Sequence, residues 1–225
     1  MLEVIEAETG QNPTATIIIL HGLGADGNDF LPVAEELQLD QVGPVRFLFP
    51  HAPVIPVSIN NGYRMRAWYD ILGFEAGARQ DEAGLRRSQA LVEALIAREK
   101  ERGIPAERIV LAGFSQGCAM ALLTGLRHPQ RLAGIVGLSG YLPIADKTAA
   151  ERSPANQDTP IFLAHGTHDN VVQLDRAEAS RDALQALGYG VEWHEYVMSH
   201  SVHPLEIEEL NAFLVRVLSA GQPAG

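Results

Sequence analysis

"VLAGFSQGCAMALL" occupies residues 110–123, and its reading decides the fold. The apolar run up to Phe114 reads as a buried strand. From Gln116 onward the run reads as a helix. Ser115 falls on the corner, with Gly113 two residues before it and Gly117 two after. A G-x-S-x-G corner forces its serine into a strained backbone at the top of a sheet, with Oγ in the open and no neighbouring Cβ atoms in the way. The N–H groups that open the next helix face the same point and favour negative charge there. An acyl-transfer nucleophile needs these conditions. The plain alternative is a strand–turn–helix corner that merely contains serine, so the partners of Ser115 decide.

Outward from this corner the pattern alternates. Residues 15–20 ("ATIIIL"), 45–50 ("VRFLFP"), 132–140 ("LAGIVGLSG"), 160–166 ("PIFLAHG") and 190–197 ("GVEWHEYV") read as strands. Helices are expected over 28–39, 81–103, 116–127, 174–187 and 204–219, with Pro32 tolerated in a first turn and Gly103 ending the long helix. Residues 143–159 are polar and loop-like. Residues 51–75 form an irregular excursion with short strands. There are no repeats and no linker. The expectation is a single α/β domain over 1–225, its sheet mostly parallel with helices on both faces. Ligands on such sheets sit at the carboxyl ends of the strands, where Ser115 lies.

The bulk numbers narrow the class. A chain of 225 residues with 46% hydrophobic content suits one domain with a large core. A net charge of −11 argues against nucleic acid or an anionic membrane as partner. The one cysteine, Cys118, fits a reducing compartment and reads as a buried small hydrophobe. "MLEVIEAETG" has no basic region and no long apolar run, so no signal peptide is expected, and no stretch reaches the length of a membrane span. The expected setting is the cytoplasm.

A nucleophilic serine needs a base, and the base needs a group to hold its tautomer. On a sheet of this kind the order is serine, acid, histidine. Asp169 follows the strand 160–166 at its carboxyl end. Asp158 precedes that strand, and Asp175 already lies in the next helix. After the strand 190–197, "MSHSVHP" offers His200 and His203. Pro204 suits a first helical position, which makes His203 the helix cap or its neighbour and leaves His200 as the base. The oxyanion hole calls for two N–H donors: Gln116, next to the nucleophile, and Leu23, in the loop "HGLGADGNDF".

Two rival sites compete with this reading. Gly22, Gly24 and Gly27 spell G-x-G-x-x-G, the dinucleotide fingerprint, but no acid is placed after the second strand for a ribose. His165, His168, Asp169, His200 and His203 could gather a metal, yet the chain has no H-E-x-x-H and no cysteine beside them. The preferred reading calls for no cofactor and no metal. A non-catalytic binding module on the same fold is the alternative from another class.

"LHGLGADGNDFLPVAEEL", "MRAWYDI", "LAGFSQGCAMAL", "LAHGTHDNVV" and "EWHEYVMSHSVHPLEI" together resemble the carboxylesterase/acyl-protein thioesterase family, especially its bacterial members. The resemblance runs from about Thr16 to the last helix. It implies an α/β-hydrolase fold, a Ser115–Asp169–His200 triad and hydrolysis of carboxylic esters and thioesters. It also implies that 51–75 is a flap beside an acyl-chain groove, with Trp68, Leu72 and Phe74 in contact with substrate, and it makes a homodimer an expectation. Cys118 where glycine is usual, Asn170 and Gln173 where prolines are frequent, and Ser199 in place of a common glycine are the departures.

Overall fold

The computed structural model describes residues 2–73 and 78–220. In chain order it runs β1 (Val4–Glu8), β2 (Ala15–Leu20), α1 (Leu31–Glu36), β3 (Val45–Pro50), β4 (Val54–Val57), β5 (Tyr63–Arg66) and α2 (Glu82–Glu101). It continues with β6 (Ile109–Phe114), α3 (Gln116–Gly125), β7 (Gly134–Leu138), α4 (Ala145–Glu151), β8 (Ile161–Gly166), α5 (Leu174–Ala186), β9 (Val191–Tyr196) and α6 (Pro204–Ser219). Seven strands form one sheet in the order β1-β3-β2-β6-β7-β8-β9. Only β1 is antiparallel to its neighbour. β4 and β5 make a separate antiparallel hairpin inside the 51–75 excursion.

Strands covered on both faces have no polar side to show, which is why these segments read as unbroken apolar runs. Successive side chains still point opposite ways. Ile18 and Leu20 enter one core, and Ile17 and Ile19 the other. α2, α3 and α5 cover the first face through Leu85, Leu95, Leu122 and Leu184. α1 and α6 cover the second, where Phe213, Leu214 and Leu218 are buried. The result is an α/β-hydrolase-like fold, a mostly parallel sheet between two helical layers, as its sequence predicts.

α2 follows its signals closely. The Asp81 carboxylate caps it by accepting from Gly84 N–H at 2.9 Å, and Gly103, at φ +92°, follows its end. Three segments differ from expectation. The helix expected over 28–39 is a 3₁₀ turn at Gly27–Phe30, a short α1 and then extended chain at Leu37. Pro32 admits a helix only from about Leu31, and Gln38 N–H leaves the helix to donate to Asn211 of α6 at 2.8 Å. Residues 145–151, expected as loop, form α4. Its sequence, ADKTAAE, has no apolar side chain larger than alanine; it is anchored by ion pairs from Arg86 and Arg127 to Glu151, both at 2.7 Å. β1 has no counterpart among the strands expected from the sequence, because "VIEAE" gains its strand conformation from pairing with β3. Among the described residues no helix is long and apolar enough to cross a membrane.

Candidate active site

The corner after β6 is strained. Ser115 has φ +56° and ψ −115°, a conformation costing about 1–3 kcal/mol in a residue with a Cβ. Neighbouring elements hold it there. Ser115 N–H donates to Leu138 O of β7 at 2.9 Å, and Ser115 O accepts from Ala119 N–H at 3.2 Å. The two glycines have a steric reason. A Cβ on Gly113 would lie 2.1 Å from the Gly117 carbonyl, and one on Gly117 would lie 1.9 Å from Leu20 O. Glycine at both sites lets α3 lie directly on β6 and β2, and that contact aims the corner.

Asp169 follows β8. Its Oδ1 accepts from Val171 N–H and Val172 N–H, each at 2.9 Å. Its Oδ2 lies 2.7 Å from His200 Nδ1. A carboxylate only accepts, so Nδ1 carries the proton and Nε2 presents a lone pair. Ser115 Oγ is 3.0 Å from that Nε2. The Asp169 side chain is fully buried and that of His200 is 16% exposed, so the carboxylate lies inside and the imidazole reaches the surface. The loop bearing His200 is tied to the loop bearing Asp169. Thr167 N–H donates to Tyr196 O at 2.8 Å, and His168 N–H to Met198 O at 3.0 Å. The Phe114 ring packs against His200 with centroids 4.7 Å apart.

The loop after β2 passes beside the corner. A Cβ on Gly22, the residue before Leu23, would sit 3.3 Å from Ser115 Cβ, so the loop runs against the Ser115 corner. Gln116 N–H is the first donor of α3 and has no carbonyl one turn back. Two histidines absent from the sequence reading hold this loop. His21 Nδ1–H donates to Gly22 O at 2.7 Å while its Nε2 accepts from Ala52 N–H at 3.0 Å. Burial pulls the His21 pKa below its ordinary value, in keeping with this neutral ring. His51 Nδ1 accepts from Gly27 N–H at 3.1 Å. The available signal was a polar residue directly after an apolar strand run, at the end of the sheet where ligands bind. Gly27 is pressed against Phe49 O, where a Cβ would come within 2.4 Å, and a single 3₁₀ turn follows it. The dinucleotide fingerprint instead needs a helix opening at these glycines.

The side chain of Gln116 has a second part. Its Oε1 accepts from Trp68 N–H at 3.0 Å and its Nε2 donates to Tyr69 O at 2.8 Å, so the excursion is pinned to α3. Trp68 is 2% exposed, and its indole N–H donates to His21 O at 2.9 Å. It buttresses the Gly22 loop from within. Leu72 is 43% exposed and lines a surface cleft with Arg79, Ile144 and Lys147, a cleft that Ser115, Asp169 and His200 do not line. Phe74 lies outside the described residues.

The remaining histidines have local partners. His203 caps α6: its Nδ1 accepts from Leu205 N–H at 3.2 Å and its N–H donates to Glu206 at 3.0 Å, with Pro204 in the first turn. His165 is buried and bonds to Val172 O. Cys118 is buried beneath the corner, and desolvation pushes its thiol pKa up to about 12, so it is inert at neutral pH.

The sequence and the fold of this chain have known relatives. A model of the phospholipase/carboxylesterase family matches residues 2–218. The acyl-protein thioesterase 1 of Yarrowia lipolytica is 46% identical over 202 residues, covering 88% of this chain and 89% of its own. The crystal structure of Zea mays acyl-protein thioesterase 2 superposes with a TM-score of 0.86 at 30% identity, over 97% of this chain and all of that one. A phospholipase/carboxylesterase from Dyadobacter fermentans does so with a TM-score of 0.76 at 26% identity, over 96% and 97% of the two chains. With near-complete coverage in sequence and in fold, this chain belongs to the phospholipase/carboxylesterase family and is a serine-hydrolase-type esterase/thioesterase of acyl substrates.

Proposed function

We propose that Ser115 is the nucleophile, His200 the general base and Asp169 the group that orients it, in hydrolysis of a carboxylic ester or thioester through an acyl-enzyme. One observation carries this reading. Short contacts run unbroken from Ser115 Oγ to His200 Nε2 at 3.0 Å and from His200 Nδ1 to Asp169 Oδ2 at 2.7 Å. In the first half-reaction Ser115 Oγ attacks the carbonyl carbon as its proton passes to His200 Nε2. The Asp169 carboxylate stabilises the imidazolium. The oxyanion of the tetrahedral intermediate is received by the N–H groups of Leu23 and Gln116. His200 then protonates the departing alkoxide or thiolate, the C–O or C–S bond breaks, and the acyl group stays on Ser115. Water, deprotonated by the same imidazole, releases the acid and restores Ser115.

The segment 51–75 is read as a flap along which the acyl chain lies. Val54, Tyr63 and Leu72 are large apolar side chains exposed on it, which supports this reading. Leu72 and Phe74 are assigned to chain contact, and Trp68 to support beneath. Relatives named acyl-protein thioesterases favour an acyl thioester as substrate. The chain is further read as one domain, cytoplasmic, without a nucleic-acid partner and working as a homodimer. Sedimentation at micromolar concentration checks the last point, and a monomer there overturns it.

Reaction with a fluorophosphonate probe, followed by mass mapping, tests the mechanism. One adduct on Ser115, absent in Ser115→Ala, is expected. No adduct on a folded wild type would favour the binding module. A panel of oxygen and sulfur esters across acyl lengths then ranks the substrates.

A further inference from the structure

His165, the penultimate residue of β8, is 1% exposed and takes no part in the mechanism above. Its Nε2 lies 2.7 Å from Val172 O and 3.5 Å from Asp169 Oδ2. The carbonyl only accepts, so Nε2 carries the proton and donates to it. Val172 is therefore gripped on both sides. Its N–H is taken by Asp169 Oδ1 at 2.9 Å, and its C=O by His165. The Val171 N–H, one residue earlier in the same turn, donates to the same Oδ1. A single imidazole thus closes the turn that turns one oxygen of Asp169 away and leaves the other for His200.

We propose that His165 is a positioning residue for the hydrolysis: by anchoring Val172 it fixes the two N–H donors that orient the Asp169 carboxylate toward His200. This inference rests on the roles proposed above for Ser115, His200 and Asp169. The chemistry calls for an uncharged donor. Lysine or arginine here would put a permanent cation beside Asp169, competing with the imidazolium that forms on His200. A neutral imidazole gives the hydrogen bond without the charge. The ionisable groups around the ring are Asp169, His200 and Glu195 on β9. Burial draws the His165 pKa below the ordinary histidine value; Val172 O, Asp169 and Glu195 pull the other way, and His200 adds to the lowering. His200 is then the one imidazole next to Asp169 that gains a proton during turnover.

The experiment compares His165→Gln with His165→Leu in the full chain. The glutamine amide places an uncharged N–H near the position of Nε2. Leucine keeps apolar bulk and removes the donor. His165→Gln is expected to keep kcat within about threefold. His165→Leu is expected to lose about 30- to 100-fold in kcat with KM within about threefold, the size of effect expected when a reacting group is displaced by less than about 1 Å. The proton between His200 Nδ1 and Asp169 is followed by its far-downfield NMR resonance, which should persist in His165→Gln and broaden or vanish in His165→Leu. A purely structural role would lower the melting temperature and leave both kcat and the resonance intact at 25 °C. That outcome, or equal losses in the two variants, overturns the proposal. If His165→Leu does not fold, His165→Asn decides, because its amide is too short to reach Val172 O: unchanged kcat in that variant overturns the proposal too. Failure of wild-type Ser115 to label with fluorophosphonate would instead overturn the catalytic roles themselves.

Discussion

Glu99 and Asp169 are buried carboxylates at opposite ends of one sheet, and they are held in opposite ways. Glu99, on α2, lies beneath the amino ends of β2 and β3 with its side chain fully buried. It accepts from Thr16 Oγ1 at 2.9 Å, Arg46 Nη1 at 2.8 Å and Arg102 Nη1 at 3.0 Å. Burial pushes its pKa up, but the bonds from Arg46 and Thr16 and the charge of Arg102 carry it below the ordinary glutamate value. Guanidinium groups are always charged, so the cancellation is permanent. Among the described residues no guanidinium is paired with Asp169. This carboxylate accepts from two backbone N–H groups and from His200, and a second imidazole, His165, lies 3.5 Å from its Oδ2. In the proposed hydrolysis its charge is matched only while His200 holds a proton. A buried carboxylate facing permanent cations fastens the fold; one facing a neutral imidazole is available for chemistry.

The hardest test of this contrast is Asp169→Asn. It keeps the shape, favours the wrong His200 tautomer and should lower kcat about 10⁴-fold, near 5 kcal/mol of transition-state stabilisation, with little change in melting. Near-normal kcat would mean that another group orients His200. Glu99→Gln should do the reverse. It leaves Arg46 and Arg102 without their full counter-charge, and stability should fall by about 3–5 kcal/mol in urea titration while kcat stays within about twofold. If Glu99→Gln disables turnover in a folded protein, the two ends are not separable.

A third buried carboxylate sharpens the comparison. Glu206 of α6 bonds to His203 N–H through one oxygen, while its other oxygen is buried with no partner among the described residues. Desolvation raises its pKa to about 7, against the pull of the His203 N–H, and Glu209 raises it further. The folded protein therefore binds a proton more tightly than the unfolded chain. That contribution is complete below about pH 4.5 and is lost as pH rises through about 7. Glu206→Gln keeps the cap acceptor and removes the charge. It should stabilise the protein by about 1–3 kcal/mol at pH 8 and flatten the loss of stability between pH 5 and 8. An unchanged pH–stability curve would place the titrating group elsewhere. The smallest effect should come from His203→Ala. It deletes a cap worth about 1 kcal/mol and should leave turnover within about tenfold, whereas His200→Ala should lose at least about 10³-fold. A larger loss at His203 would exchange the two histidines.

Local rules account for much of this molecule. "ATIIIL" and "IVLAGF" are strands because β-branched and apolar runs with no polar side suit a sheet covered on both faces. Gly113 and Gly117 mark Ser115, the order of the strands marks Asp169 and His200, and Pro204 marks His203 as a cap. Each of these depends on neighbours within a few residues or on the direction of a strand.

Other features depended on contacts made across the chain. β1 exists because β3 offers an open edge, and the helix expected over 28–39 is shortened by the approach of Gly27 to Phe49 at its start and by the bond from Gln38 to Asn211 at its end. α4 is held by arginines 24 and 65 positions away in sequence. His21 and His51 carry only a faint signature, a polar residue directly after an apolar strand run, and neither the ring bond of His165 to Val172 O nor the side-chain bonds of Gln116 to the 68–69 backbone can be read from the sequence. What distinguishes them is burial, and burial determines both the neutral state of a ring such as His21 or His165 and the carbonyl or N–H it must satisfy. Sequence alone named the groups proposed to react. The tertiary structure decided which polar groups lost their water, and so which of them had to hold the others in place.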